Sequence, residues 1–231
     1  MKLTVSLAQM AVAPSQPEAN LRKGEQLIAE AARRGSDLVC FPEMWTTGFQ
    51  WEANERIARE HEAVIGRVAG LAARYGLWVN GSMLALDEGG RVSNTSFLFS
   101  PAGEAAGLYR KTHLFTFFHE DRHMAAGKRL TLAGAPWGPA GFAVCYDLRF
   151  PELFRTYALR GARVVLLPAA WPYPRLEHWR ILVRARAIEN QFFMICTNQV
   201  GSEAFGSEGA VPYFGDSSII DPWGRTVAEA S

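Results

Sequence analysis

Two stretches of the chain repeat one local plan, and that plan limits the fold more than any other feature. ARRGSDLVCFPE, starting at Ala32, and ALRGARVVLLPA, starting at Ala158, each run from a helix end through Arg-Gly into a short apolar segment and then a proline. Glycine accepts the left-handed conformation that ends a helix. An apolar run without alternation fits a strand buried on both faces, and proline stops such a strand. A helix feeding a doubly buried strand is the unit of α/β architecture, and two copies are too few for a solenoid.

Periodicity places the other elements around these two units. Residues 3–9 alternate apolar and polar, which predicts a strand. Helices are expected over about 17–34, 54–75, 151–160 and 176–189. Residues 77–86 and 92–100 flank the turn Asp87-Glu88-Gly89-Gly90 and predict a hairpin. Short strands are expected at 37–41, up to Arg110, and at 141–145, 164–167, 192–197, 217–220 and 225–228. Residues 112–139 show no regular pattern. No linker divides the chain, so one domain over residues 1–231 is expected. With 231 residues, 48% of them apolar, such a chain buries about 70–75% of its unfolded surface.

Charge and composition exclude several functions. The 24 Lys and Arg against 23 Asp and Glu give a net charge of +1, without the basic excess of a nucleic-acid binder. No run approaches the ~18 apolar residues of a membrane span. Thr4, Ser6 and Gln9 interrupt the N-terminal apolar stretch, which argues for a strand over a signal peptide and so for a cytoplasmic protein. The sequon at Asn94 then carries no glycan. Cys40, Cys145 and Cys196 are odd in number and widely spaced, so no disulfide framework is expected.

Three polar residues follow strands at corresponding places, where α/β folds gather their ligands. Glu43 lies in VCFPEMW, an apolar setting that suits a carboxyl to carrying a proton near neutral pH; a solvated loop glutamate is the alternative. Lys111 lies in YRKTHLF and is either an ammonium facing a developing oxyanion or an exposed strand end. Cys145, in FAVCYDLRFPE, stands at a strand-to-helix junction, where a helix N-terminus and nearby cations would lower a thiol's pKa and favour a nucleophile over core packing. A competing string, His119-Glu120-Asp121-Arg122-His123, fits the H-E-x-x-H zinc-peptidase pattern. That pattern needs a longer helix and a third ligand; the flanking residues supply neither, and Glu152 is the one distant candidate for the third ligand.

Five motifs in order resemble the nitrilase, or carbon–nitrogen hydrolase, superfamily over nearly the whole chain. They are FPEMWTTGF around Glu43, YRKTHLF around Lys111, AVCYDLRFPELFR around Cys145, RARAIENQ ending at Gln191, and GDSSIIDPWG. The resemblance implies an α/β fold, a four-layer α-β-β-α sandwich with two mixed sheets. It implies a Glu43, Lys111 and Cys145 triad supported by Glu120, with no metal and no cofactor. Lys111 and the Tyr146 backbone N–H would hold the oxyanion. Cys-Tyr-Asp in place of Cys-Trp-Glu points to the amidase branches. PAAWPYPRLEHW, from Pro168, most resembles bacterial ω-amidases, which release ammonia from 2-oxo dicarboxylate monoamides such as 2-oxoglutaramate. Arg175 and His178 are then candidates for the substrate carboxylate, with Phe49 and Trp171 as apolar walls. N-carbamoyl amino acids and deaminated glutathione are alternative substrates; a zinc peptidase or a catalytically silent relative are alternatives of another class. The resemblance also implies a homodimer and a tail beyond the DPWG strand. The sequence ends at Ser231, so that tail is expected to be missing or atypical.

Overall fold

A computed structural model of the chain describes residues 2–205 and 209–230. In chain order its strands are β1 Val5–Leu7, β2 Leu38–Cys40, β3 Trp78–Leu86, β4 Val92–Phe99, β5 Ala105–Arg110, β6 Leu132–Ala133, β7 Ala140–Phe142, β8 Val164–Ala169, β9 Phe193–Asn198, β10 Val200–Ala204, β11 Ala210–Phe214, β12 Ser218–Ile220 and β13 Thr226–Glu229. The helices are α1 Pro17–Arg33, α2 Trp51–Ile57, α3 His61–Tyr75, α4 Glu120–His123, α5 Pro151–Leu159 and α6 Leu176–Asn190.

The strands form two mixed sheets and one hairpin. The first sheet has the order β1-β2-β3-β4-β5; β1, β2 and β3 are parallel and the rest antiparallel. The second has the order β13-β12-β9-β8-β7-β6, with β7, β8 and β9 parallel. The repeated sequence plan is α1–β2 in one sheet and α5–β8 in the other. Alternation along β2 shows how the layers stack. Leu38 and Cys40 join the core shared with the second sheet, whereas Val39, like Phe41 just beyond the strand, packs in the cluster under α1 and α3. On the far side Trp179, Val183 and Ala187 of α6 and Phe154 and Tyr157 of α5 cover the second sheet. The result is a four-layer α-β-β-α sandwich with two mixed sheets, as the family resemblance implies. No helix of the described residues is long and apolar enough to cross a membrane.

Two expectations need correction, and one hairpin has no counterpart among them. The helix expected over 54–75 begins at Trp51 and breaks at a 3₁₀ turn, Ala58–Glu60. Its halves serve different clusters: Ile57 and Ala58 pack with Phe49 and Tyr213, while Val68 and Ala72 pack with α1. The strand expected over 141–145 stops at Phe142, and Cys145 opens a 3₁₀ turn running to Arg149. The hairpin β10–β11 was not legible in sequence, because its residues Gly201, Ser202 and Glu203 carry no apolar alternation.

Candidate active site

The two copies of the repeated unit meet at their ends. Glu43 is the last residue of the first unit and Ala169 the last of the second, and the Glu43 N–H donates to the Ala169 carbonyl at 3.3 Å. The Ala170 N–H in turn donates to Glu43 Oε2 at 3.0 Å. Glu43 Oε1 accepts from Asn94 Nδ2 at 2.7 Å and from Lys111 Nζ at 2.8 Å. Strand β4 therefore holds both groups, since the Asn94 carbonyl also accepts the Lys111 backbone N–H at 2.9 Å. Lys111 Nζ makes a second bond, to Glu120 at 2.8 Å, and Glu120 Oε2 accepts the Phe115 N–H at 2.7 Å. Glu43, Lys111 and Glu120 are each 1% exposed, so the ammonium is bound by carboxylates with little water to compete.

Cys145 faces this cluster from a strained turn. Its φ is +44°, in the left-handed region that costs a residue with a Cβ of order 1–3 kcal/mol and recurs at functional sites. Asp147 anchors the turn. The Val144 N–H and the Tyr109 hydroxyl donate to its Oδ2, at 2.9 Å and 2.8 Å. Its Oδ1 accepts from Thr112 Oγ1 at 3.1 Å and the His113 N–H at 3.0 Å, and lies 2.7 Å from His113 Nδ1. One buried carboxylate thus ties the Cys145 turn to the segment that carries Lys111.

The electrostatics divide the proton inventory. Burial opposes the charge on Lys111, but the carboxylates of Glu120 and Glu43 outweigh it and hold the amine above its usual pKa, so it stays an ammonium. Two carboxylates share that cation, and burial pushes Glu120 up to about 7 despite the Lys111 charge beside it. For Cys145 the expected direction is reversed. Burial raises the thiol well above its usual value, and Glu43 adds to the rise through its charge and as the acceptor of the thiol's hydrogen bond; Lys111 and the Ala170 N–H only partly oppose this. The sulfur therefore rests as a thiol whose proton is directed at a carboxylate.

These groups open into a narrow cavity lined by Glu43, Lys111, Glu120, Cys145, Tyr146, Phe49, Trp171 and Arg175 among others. Of the residues singled out in sequence, His178 does not line it: it is exposed, with Nδ1 3.2 Å from Arg149 Nη2. Arg149 does line it, and its guanidinium lies 5.0 Å from the Trp171 ring centroid. Arg175 lies 5.4 Å from the Phe117 ring centroid. The zinc-like string has other uses. Helix α4 is four residues long, His119 precedes it with φ +58°, Glu120 is bound to Lys111, and the His123 ring stacks on Trp51 at 5.2 Å. Among the described residues no three His, Cys, Asp or Glu side chains are grouped to hold a metal ion. Sequence reasoning missed Asn94, Asp147 and Arg149. Their signals were a polar run inside a buried strand (93–96) and two charged residues just past Cys145.

Comparison with known proteins places the arrangement in context. The carbon–nitrogen hydrolase family profile matches residues 4–231. The chain is 34% identical over 230 residues to a 2-oxoglutaramate amidase of Bacillus subtilis, covering 99% of this chain and 86% of that one. It is 30% identical over 241 residues to the omega-amidase NIT2 of Danio rerio, covering 99% and 84%. A solved Nesterenkonia AN1 amidase from the nitrilase superfamily superposes with a TM-score of 0.90 at 26% identity, covering 99% and 86%.

Proposed function

The chain belongs to the carbon–nitrogen hydrolase family, and from that premise we propose that it is an ω-amidase, hydrolysing the terminal amide of a small 2-oxo dicarboxylate monoamide such as 2-oxoglutaramate. The observation that carries the reading is the buried cluster of one thiol, one ammonium and two carboxylates at the floor of a small cavity. An amide is a weak electrophile with a poor leaving group, and a covalent intermediate replaces one hard step with two easier ones.

In this mechanism Glu43 takes the Cys145 proton as the sulfur attacks the amide carbon. Lys111 and the Tyr146 N–H hold the tetrahedral oxyanion, and Glu120 holds Lys111 in place. Each such donor is worth about 2.7–4 kcal/mol of barrier. Glu43 then gives its proton to the departing nitrogen, and ammonia leaves a thioester. A water replaces it, gives a proton to Glu43 and adds its oxygen to the acyl carbon. The carbon–sulfur bond breaks, the acid leaves, and the proton returns from Glu43 to sulfur. A raised thiol pKa suits this cycle, because the nucleophile is made only when substrate receives its electrons.

Two guanidinium groups, Arg149 and Arg175, line the same cavity and supply planar donors for the distal carboxylate of the substrate. The experiment is a panel of 2-oxoglutaramate, an N-carbamoyl amino acid and deaminated glutathione, read by ammonia release, with the wild type and Arg175→Met. The expected result is fastest turnover of 2-oxoglutaramate. Losing one charged hydrogen-bonding group should raise its KM roughly 10- to 100-fold, while turnover of an uncharged amide changes little. Preferred turnover of the N-carbamoyl amino acid would reject this substrate and leave the amidohydrolase chemistry standing.

The proposal extends to a cytoplasmic homodimer. Helix α6 exposes Ile181 and Ile188, and the adjoining turn presents Trp223 with 80% of its surface in solvent; apolar side chains grouped on one face suit a partner surface. Light scattering should read the mass of two chains, and a single-chain mass at all concentrations would contradict this.

A further inference from the structure

The hairpin β10–β11 is exposed along most of its length, but two polar side chains on one face turn inward: Glu203 is 2% exposed and Tyr213 4%. Gly201 pairs with Tyr213 and Glu203 with Val211, so the two side chains are diagonal neighbours. Glu203 takes no part in the cycle above, yet it is bonded to Phe49, a lining residue of the cavity. Its Oε1 accepts the Phe49 N–H at 2.6 Å and Gln50 Nε2 at 3.3 Å. Gln50 Nε2 also reaches the Ala204 carbonyl at 2.7 Å. Gly48 is part of the same fit: with φ +66°, a Cβ there would lie 2.9 Å from Glu203 Oε1. Next along the hairpin, Phe205 stacks on Phe118 at 4.0 Å and lies 6.0 Å from Phe49. Phe49 and Phe118 are both lining residues of the cavity.

We propose that Glu203 is a positioning and specificity-determining residue, clamping the Phe49 wall against the hairpin and so fixing the cross-section of the channel that receives the acyl chain. The inference rests on the cavity being the amidase site. The clamped segment is also the one that leaves Glu43, five residues before Gly48. Burial pushes the Glu203 carboxyl up to about 7, with the Phe49 and Gln50 hydrogen bonds opposing the rise. The clamp survives protonation, because Oε2 has no hydrogen-bond partner among the described residues and can carry the proton while Oε1 still accepts. An acceptor at this position matters, and its charge matters less.

The test compares Glu203→Met, which keeps the bulk and removes the acceptor, with Glu203→Gln, which keeps the acceptor. Two readouts are used. The first is the ratio of Cys145 alkylation rates by bulky N-benzylmaleimide and small iodoacetamide, followed by peptide mass. The second is KM and kcat for 2-oxoglutaramate. Glu203→Met should shift the alkylation ratio toward the bulky reagent and raise KM, each by about tenfold, the factor expected for one lost hydrogen bond to a charged group. Its kcat should fall less than KM rises. Glu203→Gln should restore both readouts to within about twofold of wild type, since a neutral acceptor keeps much of that bond. Equal behaviour of the two variants, or an unchanged alkylation ratio in a folded Glu203→Met, would overturn the clamp. The alkylation ratio decides the matter even for a protein that proves inactive on 2-oxoglutaramate, so failure of the substrate reading stays separate. If Glu203→Met does not fold, hydrogen exchange of the wild type decides: the Phe49 amide should be protected, and exchange at the rate of exposed amides would overturn the proposal.

Discussion

Replacing Cys145 with alanine is expected to lower amide turnover by about 10⁴-fold or more, the scale on which covalent catalysts lose activity without their nucleophile. The cause is chemical, since the alanine variant has no atom able to form the acyl intermediate. Cys145 lies at a cavity wall and keeps its backbone in the left-handed region, where alanine and cysteine carry the same Cβ penalty. Thermal stability should therefore change little, which separates lost chemistry from lost structure. Glu43→Gln should be nearly as damaging, because a thiol held well above its usual pKa by burial and by Glu43 needs a base at the moment of attack. Iodoacetamide should label Cys145 slowly at neutral pH and faster as pH rises. Rapid labelling with a midpoint well below that of an ordinary thiol would mean a preformed thiolate and a different role for Glu43. Residual turnover in Cys145→Ala close to wild type would remove the nucleophile from the account altogether.

The second large effect is structural and catalytic together. Lys111→Met should lower stability by about 3–5 kcal/mol, the cost of leaving a buried charge without its partner. It leaves two carboxylates, Glu43 and Glu120, each 1% exposed, with no cation between them. For a chain of this size that corresponds to a melting temperature lower by roughly 10 °C. Activity should fall at least 10²–10³-fold, roughly the effect of one lost oxyanion donor. The pH dependence has a definite sign. Burial already raises Glu120 to about 7 against the opposing Lys111 charge; without Lys111 that opposition is gone and its pKa rises further, so the penalty is full while Glu120 is ionised. It is relieved as pH falls toward the unfolded carboxylate range. Over the same range Glu120 of the wild type is protonated and its ion pair with Lys111 is lost. The stability difference between wild type and variant should therefore shrink from about pH 8 to about pH 5. A difference that holds constant or widens on acidification would show that the cluster is not held by charge.

How much of this was legible in the sequence depended on the range of the interaction. The α1–β2 and α5–β8 units could be read locally, since Arg-Gly ends a helix and an unbroken apolar run marks a doubly buried strand. Their joining through Glu43 and Ala169 could not, because nothing local specifies a contact across 126 positions. Motif order marked Glu43, Lys111 and Cys145 as worth following. It did not mark Asn94, which reaches Glu43 across 51 positions, or Glu203, which reaches Phe49 across 154. Asp147 stood in a quoted motif but reads as a surface acid until Tyr109, Thr112 and His113 are seen around it. The direction of the Cys145 shift was misread for a related reason. Cationic neighbours are visible in sequence, whereas burial beside a carboxylate is a property of the assembled fold.

The claim that the rest depends on is a covalent acyl bond to one sulfur. Acid quenching of the enzyme during steady turnover of 2-oxoglutaramate, followed by peptide mapping, tests it directly. The account predicts a thioester adduct of the deaminated acyl group on the peptide containing Cys145, absent from the peptides of Cys40 and Cys196. Steady ammonia release with Cys145 unmodified, in an enzyme that also survives its replacement, would contradict it.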